Sequence, residues 1–161
     1  MLTLILLRHA EAPSKPAISD IDRTLSEKGI HDAHHSGEAM KPYLRGDLQI
    51  LSSPAIRALH TAGIVMRVNQ LSWSSLSIET ILLRSSEDEI IDRLKMNLFP
   101  SPTVLLTGHN PVIQRLIYAF SAKMPSSGIS PGSFGIIQFR EDSWEAIEPG
   151  KGKLTFEYRP E

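Results

Sequence analysis

The residues best suited to chemistry are two histidines and two arginines. Arg8-His9 directly follows the apolar run Leu2–Leu7, Arg57 lies just after Ser53-Pro54, and His109 directly follows Thr103–Thr107. A guanidinium offers forked donors matched to phosphate oxygens. A neutral imidazole is a competent nucleophile toward phosphorus and can form a covalent phosphoenzyme. A second imidazole, if protonated, can stabilise a phosphoryl group in transit. No Asp-rich cluster accompanies the set, so the arginines would supply the charge stabilisation that a metal gives elsewhere, and no metal or cofactor is expected. The chain has no cysteine, which excludes thiolate catalysis, disulfides and Cys-ligated zinc.

The elements that must position these groups alternate between short apolar runs and longer amphipathic ones. Leu2–Leu7 is continuously apolar and reads as a buried strand covered on both faces. Glu11–Arg23, charged and proline-containing, reads as a loop. Ser26–Leu44 reads as a helix capped by Ser26, with Ile30, Ala33, Gly37, Met40 and Leu44 at helical spacing and Gly46 beyond its end. Leu48–Leu51 is a second strand. Ser53-Pro54 opens the next helix with a cap and a first-turn proline, and Leu59, Ala62, Val65 and Met66 form its stripe. Leu76–Leu83 reads as a third strand. Glu87–Leu98 reads as a helix with Ile90, Ile91, Leu94 and Leu98 on one face.

Thr103–Thr107 is a buried strand. Asn110-Pro111 repeats the cap-plus-proline start before the helix Val112–Phe120. Met124–Ser133 reads as a mobile loop. Phe134–Phe139, Trp144–Ile147 and Leu154–Tyr158 read as three strands. Strand–helix alternation through residue 121 implies βαβ units around a mainly parallel sheet, and the last third adds antiparallel edge strands. The expected fold is a single α/β domain over 1–161, a three-layer α/β/α sandwich with a mainly parallel mixed sheet of five to seven strands. In such sheets ligands bind beyond the carboxyl ends of the strands, where Arg8, His9, Arg57 and His109 all fall.

The motifs around these residues resemble a known family. Leu-Leu-Arg8-His9-Ala10-Glu11-Ala12 is similar to the Arg-His-Gly signature of the histidine phosphatase superfamily, which includes the phosphoglycerate mutases. Ser52-Ser53-Pro54-Ala55-Ile56-Arg57-Ala58-Leu59-His60-Thr61-Ala62 looks like its second motif, and Thr107-Gly108-His109-Asn110-Pro111 like its third. Position 10 is Ala where the commonest form has Gly. The chain looks most like the SixA-type phosphohistidine phosphatases, through Arg-Thr-Leu-Ser-Glu-Lys-Gly over Arg23–Gly29 and the Trp144…Pro149-Gly150-Lys151-Gly152 tail.

The resemblance implies a phosphoglycerate mutase-like fold without a lid insertion, since only 51 residues separate Arg57 from His109. It implies that His9 is the nucleophile, that Arg8 and Arg57 grip the phosphoryl oxygens, and that His109 completes the pocket. Glu79 is the nearest candidate for the superfamily's carboxylate proton donor, with Glu11 behind it, and Arg23 either lines the groove's rim or is a loop residue paired with Asp20 or Asp22. Phosphate or sulfate should occupy the same pocket.

Three functional classes remain: a phosphohistidine phosphatase acting on a phosphotransfer protein, a phosphatase for small phosphoesters or nucleotides, and a non-catalytic phosphate-binding module. The intact quartet disfavours the third. Lys and Arg number 17 against 18 Asp and Glu, giving a formal charge of −1, so no general attraction to nucleic acid or anionic membrane is expected. No apolar run approaches the ~20 residues of a bilayer span. A cytoplasmic monomer is the default. His31 and His35 stand four apart on one helix, but no third ligand lies at metal-site spacing. His60, three positions after Arg57 within the second motif, either flanks the site or, the preferred reading, is a helix-surface residue.

Overall fold

The computed structural model describes residues 1–96, 100–126 and 128–161. Six strands form one sheet: β1 (Leu2–Arg8), β2 (Leu48–Ser52), β3 (Leu76–Ile78), β4 (Thr103–Gly108), β5 (Phe134–Phe139) and β6 (Lys153–Tyr158). Their order is β3-β2-β4-β1-β5-β6. The first four run parallel, and β5 and β6 run antiparallel to their neighbours. Helices α1 (Glu27–Met40) and α2 (Ile56–Val68) cover one face. Helices α4 (Glu87–Lys95) and α5 (Val112–Ser121) cover the other, and a single turn, α3 (Ile81–Arg84), precedes α4. The three-layer α/β/α arrangement is the expected one.

The central strands are apolar throughout because alternate residues feed two cores. Leu4, Leu6, Val104 and Leu106 meet Ile90, Leu94, Ile113 and Phe120 on one side. Ile5, Leu7, Ile50 and Leu105 meet Met40, Ala62, Val65 and Met66 on the other. Burying each such side chain contributes about 2 kcal/mol, so the middle of the sheet is the most stable part of the molecule.

Four expectations about elements are corrected. The Leu76–Leu83 run is a strand for only three residues. After Ile78 the chain turns and Ile81–Arg84 goes helical, sinking Leu82 into the core. A short apolar run satisfies either pattern, and β3 has only the short β2 to pair with. Trp144–Ala146 is a 3-10 turn, not a strand: the indole is buried and its Nε1 donates to Ser101 O at 2.9 Å. Helix α1 stops at Met40, two residues before Pro42, which has no N–H to continue the ladder; Leu44 is still buried, but Ile30 is exposed. The two cap-plus-proline starts are displaced, with Ala55 and Pro111 in the N-cap positions of α2 and α5 and no side-chain cap at either. Ser26 does cap α1, accepting from the Gly29 N–H.

Leu98, expected on the apolar face of α4, lies outside the described residues. No helix among the described residues is long and apolar enough to cross a membrane. The segment from Arg57 to His109 is taken up by α2, β3, α3, α4 and β4 together with their connections.

Candidate active site

The strand register builds the site. Arg8 is level with Gly108, and Ser52 is level with Thr107, so β1, β4 and β2 end almost in step. The first residue past each ladder is still tied to it. His9 N–H donates to Gly108 O at 2.9 Å, and Ser53 N–H donates to Thr107 O at 3.1 Å. His9, His109 and Ser53 therefore leave three adjacent strands at one edge. Arg57 enters from the first turn of α2.

The quartet converges. Arg57 Nε donates to His9 Nε2 at 3.2 Å, and Arg57 Nη2 donates to His109 Nδ1 at 3.3 Å. The two imidazole rings lie 5.1 Å apart between centroids. Arg8 donates Nη1 to Ile129 O at 2.9 Å, while its buried Nε–H has no partner among the described residues. That leaves Arg8 a desolvated donor for an anion.

The hydrogen bonds fix both ring tautomers. His9 Nδ1 lies 2.7 Å from Ala10 O, an acceptor only, so Nδ1 carries the proton and Nε2 presents its lone pair toward Arg57. Arg57 can only donate, so His109 Nδ1 accepts, and its Nε2–H donates to Ser53 Oγ at 2.7 Å. Both rings are held neutral near pH 7. Burial pushes His9 down to about 3, with His109, Arg57 and Arg8 adding to the fall and the Ala10 hydrogen bond opposing it. Burial and then Arg57 push His109 down to about 4, while Asp20 pulls it the other way. A neutral, lone-pair-bearing imidazole among arginines is equipped to attack phosphorus.

Surrounding residues hold the frame. Thr61 Oγ1 donates to Arg57 O and accepts the Ala10 N–H at 3.0 Å, stitching the turn after β1 to α2. The 124–133 segment, expected to be mobile, is bonded into the site at its end. Gly132 N–H donates to both Arg8 O and His9 O, and Ile129 O also accepts from Asn110 Nδ2. Gly132 has a φ of +80°, and an added Cβ would sit 3.1 Å from Pro160, so glycine suits this turn on both counts.

Of the other expected residues, Arg23 reaches the site through an intermediary. It donates to Ala12 O and, through Nε at 3.0 Å, to Asp20 Oδ1, and Asp20 in turn contacts Arg57. Glu79 follows β3, with its N–H on Ser52 O and its carboxylate 2.8 Å from Arg93 Nη2. Glu11 accepts from Ser26 Oγ at the start of α1. His31 and His35 form a pair on α1 with Nε2 atoms 3.1 Å apart, and no group of three metal-ligating side chains occurs among the described residues. Sequence reading missed Ser53, assigned there as a helix cap, along with Thr61 and Asp20. Ser53 and Thr61 lie within the second motif, but Asp20 carries no motif signal of its own.

Comparison with known proteins agrees with this layout. A family model described as the histidine phosphatase superfamily (branch 1) matches residues 4–77, from β1 to β3. A solved SixA from Nakamurella multipartitia is 24% identical, with a TM-score of 0.82 over 99% of this chain and 96% of that one. The protein histidine phosphatase SixA complexed with tungstate is 19% identical, with a TM-score of 0.80 over 97% and 96%. The mycobacterial glucosyl-3-phosphoglycerate phosphatase in complex with VO3 is 17% identical, with a TM-score of 0.67 over 97% and 98%. No curated protein sequence matches the chain.

Proposed function

We propose that this chain, whose residues 4–77 match the histidine phosphatase superfamily (branch 1), is a phosphatase that hydrolyses phosphohistidine on a phosphotransfer protein through a phospho-His9 intermediate. The observation that carries the reading is the 2.7 Å contact between His9 Nδ1 and Ala10 O. It keeps the proton on Nδ1 throughout, so His9 becomes a phosphoimidazolium when its Nε2 binds phosphorus.

A phosphohistidine protonated on its distal nitrogen is the same chemical species. In the first step the Nε2 lone pair forms the new P–N bond. The substrate's P–N bond breaks, and its electron pair returns to the leaving ring, which departs as neutral imidazole. Positive charge passes from one ring to the other, and no proton has to move. Arg57, on Nε2, and Arg8, with its open Nε–H, hold the phosphoryl oxygens in this reading. In the second step water attacks phosphorus, and the P–Nε2 bond returns its pair to His9. Phosphate leaves as H2PO4⁻, carrying both hydrogens of the water.

A strong general acid has no part in such an exchange, which accords with Glu79 being engaged by Arg93. His109, neutral in the resting site with Nδ1 accepting from Arg57, can turn its Nε2–H from Ser53 Oγ to an arriving phosphoryl oxygen without any proton transfer. We place this activity in a single cytoplasmic domain spanning 1–161 and acting as a monomer. The alternative substrate class is a small phosphomonoester, favoured by the fold shared with the mycobacterial phosphatase.

Rapid quench with phosphorus-labelled phosphohistidine tests the reading. Acid-labile, base-stable label on the wild type and none on His9→Ala is the expected result. Strong preference for aryl or sugar phosphates over phosphohistidine would assign the site to small phosphoesters.

A further inference from the structure

Asp20 belongs to none of the motifs, yet it has more charged contacts at the site than any other carboxylate described there. It lies in a 3-10 turn, Asp20–Asp22, within the loop that follows His9. Its main-chain carbonyl accepts from Arg57 Nη1, and its Oδ2 accepts from Arg57 Nη2 at 3.1 Å. Its Oδ1 accepts from Arg23, whose Nε and Nη2 both lie at 3.0 Å. Oδ1 is thus saturated, while Oδ2 retains a free lone pair. The Asp20 side chain is 70% exposed, whereas that of Arg57 is 6% exposed, so the carboxylate sits on the solvent side of the guanidinium.

Arg57 Nη2 serves both Asp20 Oδ2 and His109 Nδ1, so the carboxylate stands one nitrogen away from the pocket wall. The leaving group of an in-line attack by His9 departs on the side away from His9, toward solvent. An anionic acceptor at that rim repels an anionic leaving group and attracts a cationic N–H donor. A simple anchor for Arg57 would not need to be charged on a surface that also receives phosphate, and placing a carboxylate there weakens dianion binding in general.

We propose that Asp20 is a specificity-determining residue that selects a protonated-imidazole leaving group by accepting its distal N–H at Oδ2. This rests on the phosphohistidine reading above and goes beyond it, since it names what distinguishes phosphohistidine from a phosphoester at the same phosphoryl pocket. The charged and titratable groups facing Asp20 are Arg57 from α2, Arg23 at the end of its own turn, and His109 across Nη2. Partial burial raises the Asp20 carboxyl, and Arg57 and Arg23 outweigh that, so it stays ionised and below the usual carboxylate range.

The test is Asp20→Asn assayed on N-phosphohistidine and on p-nitrophenyl phosphate across pH. The substitution keeps an oxygen acceptor for the arginines and removes the charge. The expected result is a kcat/KM loss on N-phosphohistidine about tenfold greater than the loss on the aryl phosphate, the scale of one hydrogen bond to a charged group. The alkaline limb of kcat for N-phosphohistidine should also move to lower pH in the variant, because the bound ring loses its anionic partner. Equal losses on both substrates would reduce Asp20 to a support for Arg57 and overturn the proposal. So would a wild-type alkaline limb that coincides with the ring titration of free N-phosphohistidine. If the wild type turns over the aryl phosphate and not N-phosphohistidine, the substrate reading itself fails, an outcome separate from the previous two.

Discussion

Arg57 Nε and His9 Nε2 stand 3.2 Å apart, joining the first turn of α2 to the residue that leaves β1. One guanidinium also reaches His109 and Asp20, so three side chains share a single planar fork. Arg57→Lys keeps the charge and loses the fork. We expect kcat/KM to fall by about two to three orders of magnitude, the usual cost of removing a preorganised charge-stabilising donor. Steady-state kinetics with tungstate inhibition measures it, and both turnover and oxyanion affinity should drop. A loss below tenfold would mean that Arg57 does not touch the phosphoryl group.

Acid should destabilise the fold through its two buried imidazoles. In the unfolded chain both titrate near 6.5, whereas in the folded protein His9 titrates at about 3 and His109 at about 4. Between these values the unfolded state binds more protons, so stability rises with pH from about 3 to about 6.5 and gains nothing further from these groups above that. Thermal unfolding across this range should show the slope. His9→Gln should flatten it, and an unchanged slope in that variant would place the acid sensitivity elsewhere.

Glu79 offers a way to decide whether the site needs a proton donor. General acid catalysis by a positioned carboxyl group is worth about 100-fold or more. With its carboxylate on Arg93, Glu79→Gln should lower turnover of phosphohistidine by less than about threefold, within the range of a weakened ion pair. A hundredfold fall would make Glu79 the acid and would also favour phosphoester substrates.

Gly29 lies where α1 presses on the loop after His9. An added Cβ would sit 2.2 Å from Glu11 O, which is backbone and cannot swing aside. Gly29→Ala should destabilise the protein by about 2 kcal/mol, the scale of a steric insertion into a packed site. It should also lower kcat, since Glu11 is two residues from His9. Chemical denaturation paired with kinetics separates the two effects, and a variant of wild-type stability would show that the loop yields freely.

Much of this was legible from spacing. Leu2–Leu7 and Thr103–Thr107 read as buried strands and are, and because they pair side by side the polar residues directly after them meet at one sheet edge. Ser26 capped the helix it was expected to cap. The misreadings share a cause, in that a local signal met a distant partner. Ser53 has the residue type and spacing of a helix cap, yet its hydroxyl serves His109, 56 residues away. Trp144 has strand propensity, yet Ser101 O draws its indole into a 3-10 turn. Asp20 resembles an ordinary loop carboxylate until α2 brings Arg57 beneath it. Pairings set by tertiary packing leave no local periodicity to read.

The backbone bonds His9 N–H to Gly108 O and Ser53 N–H to Thr107 O continue the central ladders past their last paired residues. Misaligning His9, the proposed nucleophile, therefore requires unzipping the best-packed strands of the molecule, and the floor of the site lasts as long as the fold does. The wall carrying Asp20 is attached by side-chain ion pairs over a largely exposed turn and can be rebuilt without disturbing that floor. The molecule thus separates into a rigidly held floor and an exchangeable mouthpiece. On the proposed reading, grafting a different 11–23 segment onto the same sheet should change the preferred leaving group while keeping the phosphorus chemistry.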